Sequence, residues 1–169
     1  MSSLFRVKVR KNILIIIIFL FLPNISFSQL PVKLGILPLK IYSSQDLNYL
    51  RQGISEMLKS RLSWKEYILV VIDVPEEVFK DAHNIEKVGQ KLNIDYILSG
   101  SLTIFGGGAS IDLRLINIKD GKVTPFCDQC DNLNKIIPKI GELTEKITQK
   151  LVPLAKEKNK SSVVKKPKK

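Results

Sequence analysis

The chain has 169 residues, 27 of them Lys or Arg and 16 Asp or Glu, for a formal charge of +11. With 44% hydrophobic residues and two cysteines, it is not a disordered chain, a collagen or a disulfide-dense mini-protein. A surplus of +11 would suit a nucleic-acid or membrane-surface binder, but its placement redirects the argument. Residues 1–28 hold four bases and no acid. Residues 156–169 hold seven lysines and Glu157, and between these segments sixteen bases face fifteen acids. The body is near neutral, and the basicity belongs to the two ends.

The amino terminus reads as an address. After the bases Arg6, Lys8, Arg10 and Lys11, residues 13–22 form an unbroken apolar run that Pro23 and Asn24 end. A basic flank, a short apolar core and the small residues Ser26 and Ser28 make the secretory signal pattern. The run is shorter than the ~20 residues that spanning a bilayer needs. The expectation is cleavage after Ser28, with an uncleaved inner-membrane signal anchor as the alternative. In a bacterium the mature chain would then be periplasmic or peripherally attached to the envelope. The expected organisation is a signal peptide over 1–28, a single α/β domain over 29–155 and a disordered Lys-rich tail over 156–169.

Val32 to Leu39 is apolar and β-compatible, with Pro38 closing it. Ser43 and Asp46 are spaced as a capping box. Leu47, Leu50, Ile54, Met57, Leu58 and Leu62 follow at helical spacing. Gly53 inside this helix suggests a close helix–sheet contact. Ile68 to Ile72 is a buried-type strand. Pro75, Glu76 and Glu77 open a second predicted helix, in which Val78, Phe79, Ala82, Ile85, Val88, Gly89 and Leu92 make the apolar stripe. Tyr96 to Phe105 alternates, Gly106-Gly107-Gly108 makes a turn, and Ser110 to Ile118 alternates again. Asp120-Gly121 is a hairpin turn, and Lys122 to Phe126 a short third strand. Leu133, Ile136, Ile137, Ile140, Leu143, Ile147, Leu151 and Leu154 form a last helix, kinked or restarting at Pro138. The order β-α-β-α-β-β-β-α predicts an α/β (α+β) fold, one mixed sheet with helices packed on it.

Three stretches then resemble a family: Ile36 to Leu39, Gly53 to Leu62, and Asp95 to Leu102. They are similar to the TolB amino-terminal-domain-like group, to which FlgO and the curli secretion protein CsgG are related. The likeness is strongest to the exported modules that precede VCBS/FG-GAP propellers. It covers about residues 32–152. The resemblance implies an exported α/β envelope module and carries no catalytic residues over.

The residues themselves offer few chemical constellations. Cys127 and Cys130 form a CxxC between a predicted strand and a predicted helix. A helix amino terminus lowers a thiol's pKa, so a thiol–disulfide exchange pair is one reading; a passive local disulfide and two unpaired thiols are the others. With His83 they supply three ligands where structural zinc needs four, so no metal is expected. Gly106 to Gly108 lacks the Lys-Ser/Thr of a phosphate loop, and no cofactor is expected. Glu76 and Glu77 complement a helix dipole. Ser99, Ser101, Thr103, Asp112 and Arg114 share one polar face of the predicted hairpin, either solvated or facing a partner. Lys165, Lys166, Lys168 and Lys169 would suit an anionic membrane surface. Nucleic acid is not expected, because no aromatic residues interleave the bases.

The function these features predict is a non-enzymatic interaction module of the envelope, binding a protein or cell-wall component. The alternatives are a thiol–disulfide protein using Cys127 and Cys130, and a membrane-surface adaptor working through the lysine tail.

Overall fold

A computed structural model describes residues 30–63, 67–71, 87 and 89–164. The expected signal peptide, most of the second predicted helix with Glu76, Glu77 and His83, and residues 165–169 lie outside the described residues.

The fold is mixed α+β, as expected. The strands are β1 (Val32–Ile36), β2 (Lys40–Tyr42), β3 (Ile68–Val71), β4 (Tyr96–Phe105), β5 (Gly108–Asn117) and β6 (Val123–Cys130). Helix α1 spans Asn48–Leu62, and α2 spans Ile136–Val164. The strand order is β3-β1-β4-β5-β6, with β2 also on β4. β1, β2, β3 and β4 pair in parallel, whereas β4-β5 and β5-β6 are antiparallel hairpins.

The first predicted strand is split at Pro38. β1 pairs Ile36 with Leu98, and β2 pairs Lys40 with Ser101. The three residues Leu37 to Leu39 therefore oppose only Ser99 and Gly100, so the strand gains one residue. A one-residue slip exchanges faces. In β1 the even residues Val32, Leu34 and Ile36 enter the main core, whereas in β2 it is Ile41. Lys40 and Tyr42 are thereby turned to the opposite face.

The main core lies between one sheet face and the two helices. Leu98 and Leu102 of β4 and Ile111, Leu113 and Leu115 of β5 meet Ile54, Leu58 and Leu62 of α1 and Ile140, Leu143, Ile147 and Leu151 of α2. At 25 cal/mol per Å², fully burying one such side chain is worth about 2 kcal/mol. The apolar stripes of the first and last predicted helices are buried or half-buried, except that Leu133 and Ile137 are exposed. The stripe of the second predicted helix lies mostly outside the described residues, and its Leu92 is exposed. A smaller cluster of Ile94, Ile97 and Ile118 forms on the other face. There Gly89 lets helix and sheet meet, because a Cβ would lie 2.5 Å from the Ile118 side chain.

Four local expectations change. Ser43 does not cap α1; its Oγ accepts from the Gln45 N–H (3.1 Å) in a local turn, and the N-cap is Leu47. Gly53 marks no close contact, since a Cβ there would meet open space. Pro138 falls in the first turn of α2, where its missing N–H has no helical partner to lose, so it neither ends nor restarts the helix. Finally, α2 continues to Val164, into the segment expected to be a disordered tail. Asn159 accepts the Leu30 N–H (2.6 Å) and Lys158 pairs with Asp95 (2.7 Å), contacts between distant segments that charge and periodicity do not reveal.

Candidate functional site

The β4-β5 register places Ser99 opposite Arg114, Ser101 opposite Asp112 and Thr103 opposite Ser110. Directly paired residues point to the same side, so the five residues of the predicted polar face do share one face. It is the face away from α1 and α2, because the intervening Leu98, Leu102, Leu113 and Ile111 fill the main core. Ser99, Ser101, Thr103 and Asp112 are half-buried, and Arg114 is exposed. Asp112 Oδ2 accepts from Ser110 Oγ (3.0 Å), which holds the carboxylate along the strand.

Neighbouring strands widen this face beyond the sequence reading. Lys40 pairs with Ser101 and Tyr42 with Thr103, both exposed after the Pro38 bulge. On the other side Gln129 pairs with Ser110, Cys127 with Asp112 and Pro125 with Arg114. The parity change at Pro38 is the signal that would have revealed Lys40 and Tyr42.

The cysteines are not where the sequence placed them. β6 runs through Cys130, so both thiols lie in a strand rather than at a helix amino terminus. Residues three apart in a strand point to opposite faces and lie ~10 Å apart. That exceeds the ~7 Å Cα reach of a disulfide, and both thiols are free. Cys127 is exposed on the polar face, and Cys130 packs against the main core. This conformation removes the local disulfide and the proximity that an exchange pair needs.

β6 ends the strand order and is an edge among the described strands. The Lys122 carbonyl accepts from the Asn117 N–H (2.9 Å), so even-numbered backbone groups here turn toward β5 and odd-numbered ones outward. The outward set includes Pro125, which has no N–H, and Gln129, whose N–H is taken by Asp128 Oδ1 (2.9 Å). The edge is thereby blunted against pairing with another chain. Burial pushes the Asp128 carboxyl up, but the Gln129 N–H and the Lys139 ammonium outweigh it and hold it below the usual carboxylate range. Lys139 in turn is held above its ordinary value, first by its hydrogen bond to Glu142.

Among the described residues no three His, Cys, Asp or Glu side chains gather as a metal site. Gly106 and Gly107 form a tight turn, with Gly106 at φ +57°, and Gly108 begins β5. A groove of about 830 Å³ beside α1 and α2 is lined by residues that include Arg61, Gly141 and Glu145. The Arg61 guanidinium packs close to Gly141, where a Cβ would come within 2.9 Å of Arg61 Nη1. No helix among the described residues is long and apolar enough to cross a membrane.

These features define the class: a mixed α+β domain with one sheet face covered by α1 and α2, and an opposite face that is polar along β4 and β5 beside the Ile94, Ile97 and Ile118 cluster. By sequence the chain matches no protein-family model and none of the curated proteins. Solved structures of similar fold include the LpoB C-terminal domain from Escherichia coli, with a TM-score of 0.50 at 11% identity over 62% of this chain and 85% of that one. Lipoprotein GNA1162 from Neisseria meningitidis has a TM-score of 0.49 at 18% identity over 71% of this chain and 96% of that one. TolB from Acinetobacter baumannii has a TM-score of 0.46 at 12% identity, over 71% of this chain and 27% of that one. The LpoB likeness concerns the fold alone.

Proposed function

We propose that the chain is an exported, non-enzymatic interaction module of the bacterial envelope. It is released by cleavage after Ser28 and binds a protein or cell-wall component through the polar face of β4 and β5. The observation that carries this reading is the alignment of Ser99, Ser101, Thr103, Asp112 and Arg114 on one face, extended by exposed Lys40 and Tyr42. Hydroxyls and an exposed guanidinium supply directional hydrogen bonds, and a tyrosine supplies contact area at low entropic cost. The fold shared with the LpoB domain fits the reading. So does the resemblance to the TolB amino-terminal-like group, with FlgO, CsgG and the modules before VCBS/FG-GAP propellers as its relatives.

The test is a photo-crosslinking residue at Ser101, with a control at exposed Lys150 on α2. A discrete adduct in envelope fractions is expected from position 101 and not from 150, and R114E should abolish it. Equal adducts at both positions, or an adduct indifferent to R114E, would refute the assignment.

A further inference from the structure

One end of the molecule gathers charge that the sequence scatters. Leu30 N–H donates to Asn159 Oδ1 (2.6 Å), Ile94 N–H to the Gly89 carbonyl (2.8 Å), and Ile118 N–H to the Asp95 carbonyl (3.0 Å). Asp95 also takes the Lys158 ammonium. These bonds draw together the helical stretch ending at Lys91, the β5-β6 turn and the last turns of α2. Lys156 joins them over the ring of Tyr67, which precedes β3 (5.5 Å).

At this end Lys87, Lys91, Lys119, Lys122, Lys156 and Lys160 are exposed, against exposed Asp120 and Glu157. Apolar side chains stand among them in water: Leu30 is 49% exposed, Leu92 39% and Val123 50%. Lysines interspersed with solvent-facing apolar groups match the headgroup layer of a membrane, where phosphates meet the ends of the acyl chains.

We propose that this end docks on the anionic headgroup surface of a phospholipid bilayer, with the lysines against phosphates and Leu30, Leu92 and Val123 entering the interface. The inference rests on the exported reading only in that such a bilayer borders the compartment. It does not involve the polar sheet face.

The test is sedimentation of the full chain with phosphatidylcholine vesicles carrying about one-third phosphatidylglycerol, in low salt. Each lysine removed should cost about fivefold in binding, so K119Q/K122Q should lose about 25-fold. L92S should weaken the binding that remains at high salt, where screening suppresses the lysine contribution. K40Q/R51Q removes the same charge elsewhere and should change binding less than threefold, within the scatter of such effects. The proposal is overturned if K40Q/R51Q loses as much as K119Q/K122Q, or if pure phosphatidylcholine binds equally well. It is also overturned if replacing Lys165, Lys166, Lys168 and Lys169 abolishes binding while K119Q/K122Q does not weaken it. Vesicle binding by R114E separates the two surfaces: unchanged binding is expected, and a loss equal to that of K119Q/K122Q overturns the docking end.

Discussion

Replacing Asp95 tests how the two halves of the fold are tied. Its Oδ2 accepts the Lys33 N–H (2.8 Å), and its own N–H donates to the Lys33 carbonyl (2.9 Å), fixing where β1 meets β4. The same carboxylate binds the Lys158 ammonium at 2.9 and 2.7 Å, with the two side chains 32% and 38% exposed. In D95A the half-buried Lys33 N–H loses its acceptor, at about 1–1.5 kcal/mol. The ion pair, screened by water, adds about 0.5–1 kcal/mol. The expected total is about 2 kcal/mol. D95N keeps an acceptor for the Lys33 N–H and should lose only about 1 kcal/mol. Urea unfolding of the full chain reads both values, and hydrogen exchange at the Lys33 amide reports the local bond. A D95A chain within about 0.5 kcal/mol of wild type would refute the reasoning. Equal losses in D95A and D95N would show that the backbone bond contributes nothing.

Three further outcomes follow from β6 and its surroundings. Asp128 is held low in the folded chain, so its contribution to stability is present above the unfolded carboxylate pKa of about 3.9 and fades as pH falls through the lower folded value. D128N should flatten stability measured from pH 5 to pH 2, and an unchanged acid limb would exclude that role. P125V/D128A should restore outward N–H donors on the edge strand and promote self-association in sedimentation velocity; a monomer at all concentrations would argue against a guarded edge. Cys127 should alkylate without prior reduction and faster than the core-packed Cys130, as counted by mass spectrometry; equal protection of both thiols until reductant is added would indicate a disulfide.

Element type was legible because it is local. Ile54, Leu58 and Leu62, then Ile140, Leu143 and Ile147, repeat at helical spacing, and each set is buried on one side. The hairpins followed from Gly106-Gly107 and Asp120-Gly121, where Gly106 and Gly121 take positive φ. Alternation in β4 and β5 was enough to group the five polar-face residues, because a strand of constant register keeps side-chain parity. Pro38 broke that regularity: it announced an interruption but not the extra residue, so Lys40 and Tyr42 were missed. The reach of β6 through Cys130 was hidden for another reason. Its length is set by pairing with Ala109 and Ile111, which lie about twenty positions earlier.

The sequence by itself determined the layered α+β architecture, the apolar stripes and the segregation of charge, because periodicity and composition act over neighbouring residues. Tertiary structure alone decided three things: which lysines meet at one end, that the CxxC thiols face opposite ways, and that α2 outlasts the neutral body. Each depends on hydrogen bonds or pairings between distant segments, such as Asp95 with Lys158 and Leu30 with Asn159. A +11 chain with a near-neutral body thus acquires, through folding, a basic end that includes Lys119 and Lys122, residues of that body.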